Sequence, residues 1–158
     1  MTSYIPIIDD IGFFGPMILF TLVIVILWGR YKYINVYLIF ILFNTVLNKI
    51  LKNTIKSPRP GKPSEYTIYK TYENTSGSEA YGMPSGHAQS VSFSTLYVYL
   101  VTKSKNLLIG GSFISALSLM QRYRFKRHSM KQLLVGVIIG SCVAYISYNL
   151  STLFLTCK

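Results

Sequence analysis

Hydrophobic positions in this chain neither alternate nor recur on one face of a helix. They come in continuous blocks, approximately Ile11 to Trp28, Tyr33 to Leu51, His87 to Val101, Leu107 to Gln121 and Leu133 to Leu155. Polar and charged residues gather in the gaps, whereas a water-soluble bundle spreads them along helix faces. A bilayer core about 30 Å thick needs about 20 helical residues to cross. The second and fifth blocks meet that length and the third and fourth fall short. The pattern predicts an all-α, multi-pass transmembrane bundle of about five spanning helices, forming one domain over residues 1–158. The third block, "HAQSVSFSTLYVYLV", is rich in hydroxyl and amide side chains. Such side chains cannot face lipid all round, so this helix is expected at the centre, bonding its neighbours.

Composition agrees with that reading. Of the 158 residues 51% are hydrophobic and only 13% charged, and the mean hydropathy is +0.39, too apolar for an ordinary soluble domain of this size. The net charge of +11 is compatible with acidic lipid. Nucleic acid is not an expected partner, because no solvated basic face with groove-reading elements accompanies the charge. Cys142 lies in an apolar run and Cys157 at the C-terminal end, so no disulfide framework is readable. No basic region precedes the first apolar run, which predicts an uncleaved first span.

Five spans would put the tight links Gly29 to Lys32 and Thr102 to Asn106 on one membrane face. The long, proline-rich loop 52–84 and the basic link Arg122 to Gln132 would share the other face with the N-terminus. Three cationic clusters meet there. In "KNTIKSPRP", Lys52 and Arg59 are separated by a segment whose prolines must end the helix. In "PSGH", Ser85 and Gly86 stand where a helix begins, with unpaired amides and a dipole that favour an anion. His87 beside them can donate a proton near neutrality. In "QRYRFKRHSMKQ", Arg122 offers a planar fork for phosphate oxygens, and His128 follows six residues later. Snorkelling to headgroups accounts for Arg124, Lys126, Arg127 and Lys131 but leaves His128 unexplained, while His87 taken alone equally suits a satisfied histidine after an N-cap Ser. Convergent cations with one imidazole to attack phosphorus and another to protonate the leaving oxygen amount to nucleophilic phosphoryl transfer. No grouping has convincing metal-ligand spacing, and neither metal nor cofactor is expected.

These residues resemble the type-2 phosphatidic-acid phosphatase superfamily, which includes lipid phosphate and polyprenyl-diphosphate phosphatases and vanadium haloperoxidases. Its first motif, Lys, six residues, Arg-Pro, is matched by Lys52 through Arg59 and Pro60; its second, Pro-Ser-Gly-His, by Pro84 to His87. Of its third, Ser-Arg, five residues, His, three residues, Asp, Arg122 and His128 match, while Gln121 and Gln132 replace Ser and Asp. The resemblance implies that Lys52, Arg59, Ser85, Gly86 and Arg122 hold phosphate, that His128 is a nucleophile forming a phosphohistidine, and that His87 is the general acid. Four positions after His128 on a helix, Gln132 would face the same side and could accept a hydrogen bond from the imidazole without supplying negative charge. A lipid phosphatase slowed by that loss and a catalytically impaired lipid-phosphate binder both remain open, as does a structural protein whose cations only meet headgroups. The substrate class expected is a lipid phosphate, of phosphatidic-acid or polyprenyl-diphosphate type, entering laterally from the bilayer.

Orientation signals conflict. Summed Lys and Arg favour a cytoplasmic site, whereas Asp9 and Asp10 before the first span and Arg30 and Lys32 after it place the site outside. The resemblance likewise implies a lumenal or extracytoplasmic site. Asn74 to Ser76, "NTS", is an N-glycosylation acceptor on that face if the host is eukaryotic. Tyr66, Tyr69, Tyr72 and Tyr81 suit an interfacial belt. "GVIIG", Gly136 to Gly140, serves either close helix packing or a homo-oligomer.

Overall fold

The computed structural model describes residues 6–61 and 76–156; Tyr66, Tyr69, Tyr72, Asn74 and Cys157 lie outside the described residues. Among the described residues five α-helices follow one another: α1 Pro6–Ile26, α2 Tyr31–Ile55, α3 Gly86–Thr102, α4 Lys105–Arg124 and α5 Met130–Thr156, with a 3-10 turn at Gly77–Ala80 before α3. No strand occurs among the described residues. Spans Ile7–Ile26, Tyr31–Ile55 and Met130–Leu153 are long and apolar enough to cross a bilayer. The shorter α3 and more polar α4 complete the bundle. Large apolar side chains stay on the outside, among them Met17, Leu42, Phe113 and Ile138, as lipid-facing surfaces require.

Local chemistry sets the helix ends. α2 stops where Lys56 turns left-handed (φ 50°) and returns its N–H to the Lys52 carbonyl. Ser57 precedes Pro58, and the residue before a proline is disfavoured in helical conformation. At the start of α3, Ser85 is extended and its Oγ accepts from the Ala88 N–H at 3.4 Å, an N-cap. α1 begins a turn before its apolar block, so Asp9 lies inside the helix and not ahead of it. Asp9 is fully buried there and ion-paired to Arg124 at 2.8 Å, so its charge is matched within the bundle.

α3 is central, packed most extensively on α5 and α4 and also touching α1 and α2. Its polar side chains reach neighbours: Ser94 Oγ meets Tyr37 Oη at 2.8 Å, Thr95 Oγ1 meets Ser115 Oγ at 3.1 Å, and Tyr97 Oη donates to the Tyr33 carbonyl. Gln89 donates to Asn44 Oδ1 at 2.8 Å and accepts from Asn48 Nδ2 at 2.8 Å. Asn48 also donates to the Pro84 carbonyl, tying α2 to the "PSGH" segment. The apolar core gathers Val23, Leu27, Ile34, Tyr37, Phe93, Tyr97 and Val143. Tyr37 and Phe93 stack there with ring centroids 5.3 Å apart.

Two close approaches depend on glycine. A Cβ at Gly12 would stand 2.6 Å from the Leu117 carbonyl, so α1 can touch α4 only without one. Gly136 and Gly140 of "GVIIG" face the Ser85 and Gln89 carbonyls of the α3 segment. That glycine face is filled within one chain, in line with the close-packing reading of the motif. These contacts leave the ends of α2 and α4 and the starts of α1, α3 and α5 together at one pole of the bundle.

Candidate active site

The polar pole encloses a cavity of about 380 Å³ whose walls include Lys52, Arg59, Gly86, His87, Arg122 and His128. Each motif arrives on a different element. α2 delivers Lys52 on its last turn, the chain after it delivers Arg59, α3 begins with Gly86 and His87, α4 ends with Arg122, and the turn before α5 carries His128. That turn is tight: Lys126 is left-handed (φ 52°), and the N–H groups of both Arg127 and His128 point back to the Arg122 carbonyl. The third motif is thereby folded so that its arginine and histidine face one space.

Charge is concentrated there and held away from water. Lys52 is 2% exposed, Arg122 3% and His128 3%. Lys52 Nζ pairs with Glu79 Oε2 at 2.7 Å, and Arg59 Nη2 lies 3.6 Å from the same oxygen. Arg59 also donates through Nε and Nη2 to the Glu79 carbonyl at 3.0 and 2.7 Å. The Arg122 guanidinium lies over the Phe13 ring, 4.8 Å from its centroid, and Nε donates to Gln121 Oε1 at 2.6 Å.

Partners define the state of each imidazole. His128 Nδ1 is 2.8 Å from the Gly82 carbonyl and Nε2 is 3.2 Å from Arg59 Nη1. A carbonyl only accepts and a guanidinium only donates, so Nδ1 carries the proton and Nε2 presents its lone pair. Burial, then Arg59, Arg122 and Lys52, push the His128 pKa down from 6.5 to about 3, against the opposing hydrogen bond to Gly82. His87 Nε2 meets the Phe13 carbonyl at 3.1 Å and must carry a proton there, leaving Nδ1 as its second nitrogen.

Two residues named from the sequence stand elsewhere. Ser85 is fully buried behind the cavity wall; its Oγ caps Ala88 and its N–H donates to the Gln132 carbonyl at 3.1 Å. Gln132 does not reach His128. Its Oε1 accepts from the Ser129 N–H at 3.0 Å, and its Nε2 donates to Ser57 Oγ at 3.1 Å and the Pro58 carbonyl at 2.9 Å. The same-face expectation fails because α5 starts at Met130, so His128 lies outside the helix whose periodicity was applied to it. Ser129 Oγ accepts from the Gln132 N–H in return, making "SMKQ" a capping box. That Ser-x-x-Gln signature is legible in the sequence.

Other contributors carried weaker signals. Arg127, assigned by composition to the headgroup region, is 1% exposed and lines the cavity. Glu79 is one of three glutamates in the long loop, and only the fold shows it between two cations. Phe13 acts through a backbone carbonyl and a ring, which no motif marks.

Residues 32–154 match the family model of the PAP2 superfamily. Dolichyldiphosphatase of Saccharomyces cerevisiae is 31% identical over 110 residues, covering 63% of this chain and 44% of that protein. Dolichyldiphosphatase 1 of Dictyostelium discoideum is 28% identical over 120 residues, 69% of this chain and 48% of its own. Lipid phosphate phosphatase epsilon 1, chloroplastic, of Arabidopsis thaliana is 29% identical over 115 residues, 68% and 37% respectively. The chain thus spans less than half the length of these relatives. No solved structure matches it. Since the matched segment covers most of the chain and carries all three motifs around one cavity, the chain belongs to the PAP2 superfamily.

Proposed function

We propose that this chain is an integral-membrane lipid phosphatase that hydrolyses a phosphate ester or diphosphate on a lipid headgroup through a phosphohistidine on His128. One observation carries the reading. The Nε2 lone pair of a neutral, buried His128 faces a cavity walled by Lys52, Arg59 and Arg122. Cations fixed in a dry site stabilise charge developing on a phosphoryl group without reorganising at the moment of reaction.

The steps follow from those placements. Nε2 attacks phosphorus, the bond from phosphorus to the bridging oxygen breaks, and His87, entering this step as an imidazolium whose Nε2–H is held by the Phe13 carbonyl, gives its Nδ1 proton to the departing oxygen. Water then gives its proton to His87 as it attacks phosphorus. The P–N bond breaks, freeing inorganic phosphate and restoring the neutral His128 imidazole and the His87 imidazolium. Lys52, Arg59, Arg122 and the Gly86 amide at the start of α3 hold the phosphoryl oxygens. Ser85 holds that helix start in shape as its cap.

The relatives named dolichyldiphosphatase favour a polyprenyl diphosphate over phosphatidic acid. The substrate's chain would stay in lipid between α1 and α2, whose Phe14, Met17 and Thr45 line the cavity. The site is read as lumenal or extracytoplasmic. The discriminating experiment measures inorganic phosphate released by the purified protein in detergent micelles from a polyprenyl diphosphate and from phosphatidic acid in parallel. Release, faster from the diphosphate, is the expected result. Saturable binding of either lipid without release would identify a noncatalytic binder instead.

A further inference from the structure

The third motif lacks its carboxylate, yet His128 is not left without an orienting acceptor. We propose that the backbone carbonyl of Gly82 orients the nucleophilic imidazole, and that Gln132 is a positioning residue acting through Gly82. The inference deepens the phosphatase reading and rests on it for its kinetic consequences.

The carbonyl stands 2.8 Å from His128 Nδ1, where it fixes the tautomer and ring orientation that present Nε2 to phosphorus. What holds it there is a closed set of contacts. The Gly82 N–H donates to the Ser57 carbonyl at 2.8 Å. Gln132 Nε2 donates to Ser57 Oγ and to the Pro58 carbonyl, fixing the same strip of chain. The Gln132 amide also lies directly against Gly82: a Cβ at Gly82 would stand 2.6 Å from both Nε2 and Oε1. Gln132 in turn is anchored by its capping box with Ser129, one residue from His128. The amide therefore braces the carbonyl and the imidazole turn together.

A carboxylate at 132 is a poor substitute. Aspartate is one methylene shorter and, ionised, can only accept hydrogen bonds, so it cannot donate to the Pro58 carbonyl. It would loosen the strip that carries Gly82 without reaching an imidazole whose Nδ1 is already occupied. A neutral carbonyl also leaves His128 without a partner charge, which is consistent with an imidazole that stays unprotonated among cations.

The test uses the full chain in micelles, with phosphate release from a polyprenyl diphosphate and imidazole nitrogen NMR on a protein with only two histidines. The variants are Gln132→Asp, Gln132→Ala, Gly82→Ala and the last two combined. Each single substitution is expected to lower kcat about tenfold, the effect of roughly one lost hydrogen bond, with KM little moved because the phosphate cations are untouched. Gly82 has no left-handed φ, so the Gln132 amide is the obstacle to its added methyl. The double variant should accordingly be no slower than the slower single. In the wild type His128 should show a single Nδ1–H tautomer, and Gln132→Ala should mix the two tautomers.

A rise in kcat for Gln132→Asp, or an acid limb of kcat/KM moved to higher pH as a carboxylate on the imidazole would cause, overturns the proposal. So do additive losses in the double variant or an Nε2–H tautomer in the wild type. Absence of phosphate release in the wild type would defeat the phosphatase reading alone, because the tautomer and its response to Gln132→Ala still decide the role of Gly82.

Discussion

At the scale of single residues, the site is governed by how few groups balance its cations. Glu79 Oε2 sits 2.7 Å from Lys52 Nζ, in the space where a substrate oxygen would approach the first-motif cations. A phosphoryl group entering the cavity competes with that carboxylate for Lys52 and Arg59. Glu79→Gln keeps the shape and removes the charge. It is expected to lower both KM and the inhibition constant of inorganic phosphate, by about tenfold for one charge-assisted contact no longer contested. Titration of phosphate release with free phosphate measures both; a higher KM would show that Glu79 only shapes the pocket.

His128 makes the second residue-scale prediction, concerning pH. Its folded pKa, about 3, lies below the unfolded 6.5. The unfolded chain therefore binds the proton more readily between those values. This group's contribution is neutral above about pH 6.5 and increasingly destabilising as pH falls toward 3. His128→Gln should flatten the acid-side decline of Tm across that window. An unchanged slope would mean that His128 is not held neutral by its surroundings.

Among the elements, α1 gives the clearest case of structure adding to sequence. It precedes every motif and lies wholly outside the family match, yet Phe13 supplies the carbonyl on His87 and the ring under Arg122. Gly12 makes this possible. Gly12→Ala would place a methyl 2.6 Å from the Leu117 carbonyl, pushing α1 off α4 at an overpacking cost of about 1–3 kcal/mol. Tm and kcat are expected to fall together, whereas Gly110→Ala, where a Cβ meets nothing within 4 Å, should lower neither. Equal behaviour of the two variants would remove α1 from the site.

The helix order and the central place of α3 were legible because apolar blocks and buried hydroxyls report directly on bilayer length and packing. The convergence of Lys52, Arg59, His87, Arg122 and His128 on one cavity is legible because their spacing survives any detail of the turns. What escaped notice works through backbone or through turn geometry. Gly82 and Phe13 act as carbonyls, which side-chain patterns cannot mark. Gln132 was placed by helical periodicity across a boundary that its own capping box defines.

For the whole molecule, the fold divides its labour by depth. An aromatic and aliphatic core occupies one region of the bundle, and a cationic cavity occupies the pole where the five helices bring their motifs. A net charge of +11 and apolar helix surfaces are what the proposed function would require, an acidic headgroup held at the pole while its tail stays in lipid. The most direct test of this account is acid-sensitive phosphate trapped on the protein during turnover of a polyprenyl diphosphate and located by mass spectrometry, with phosphate release followed in parallel for wild type and His128→Ala. The account predicts phosphate on Nε2 of His128 and no release from the variant; release from His128→Ala at the wild-type rate would contradict it.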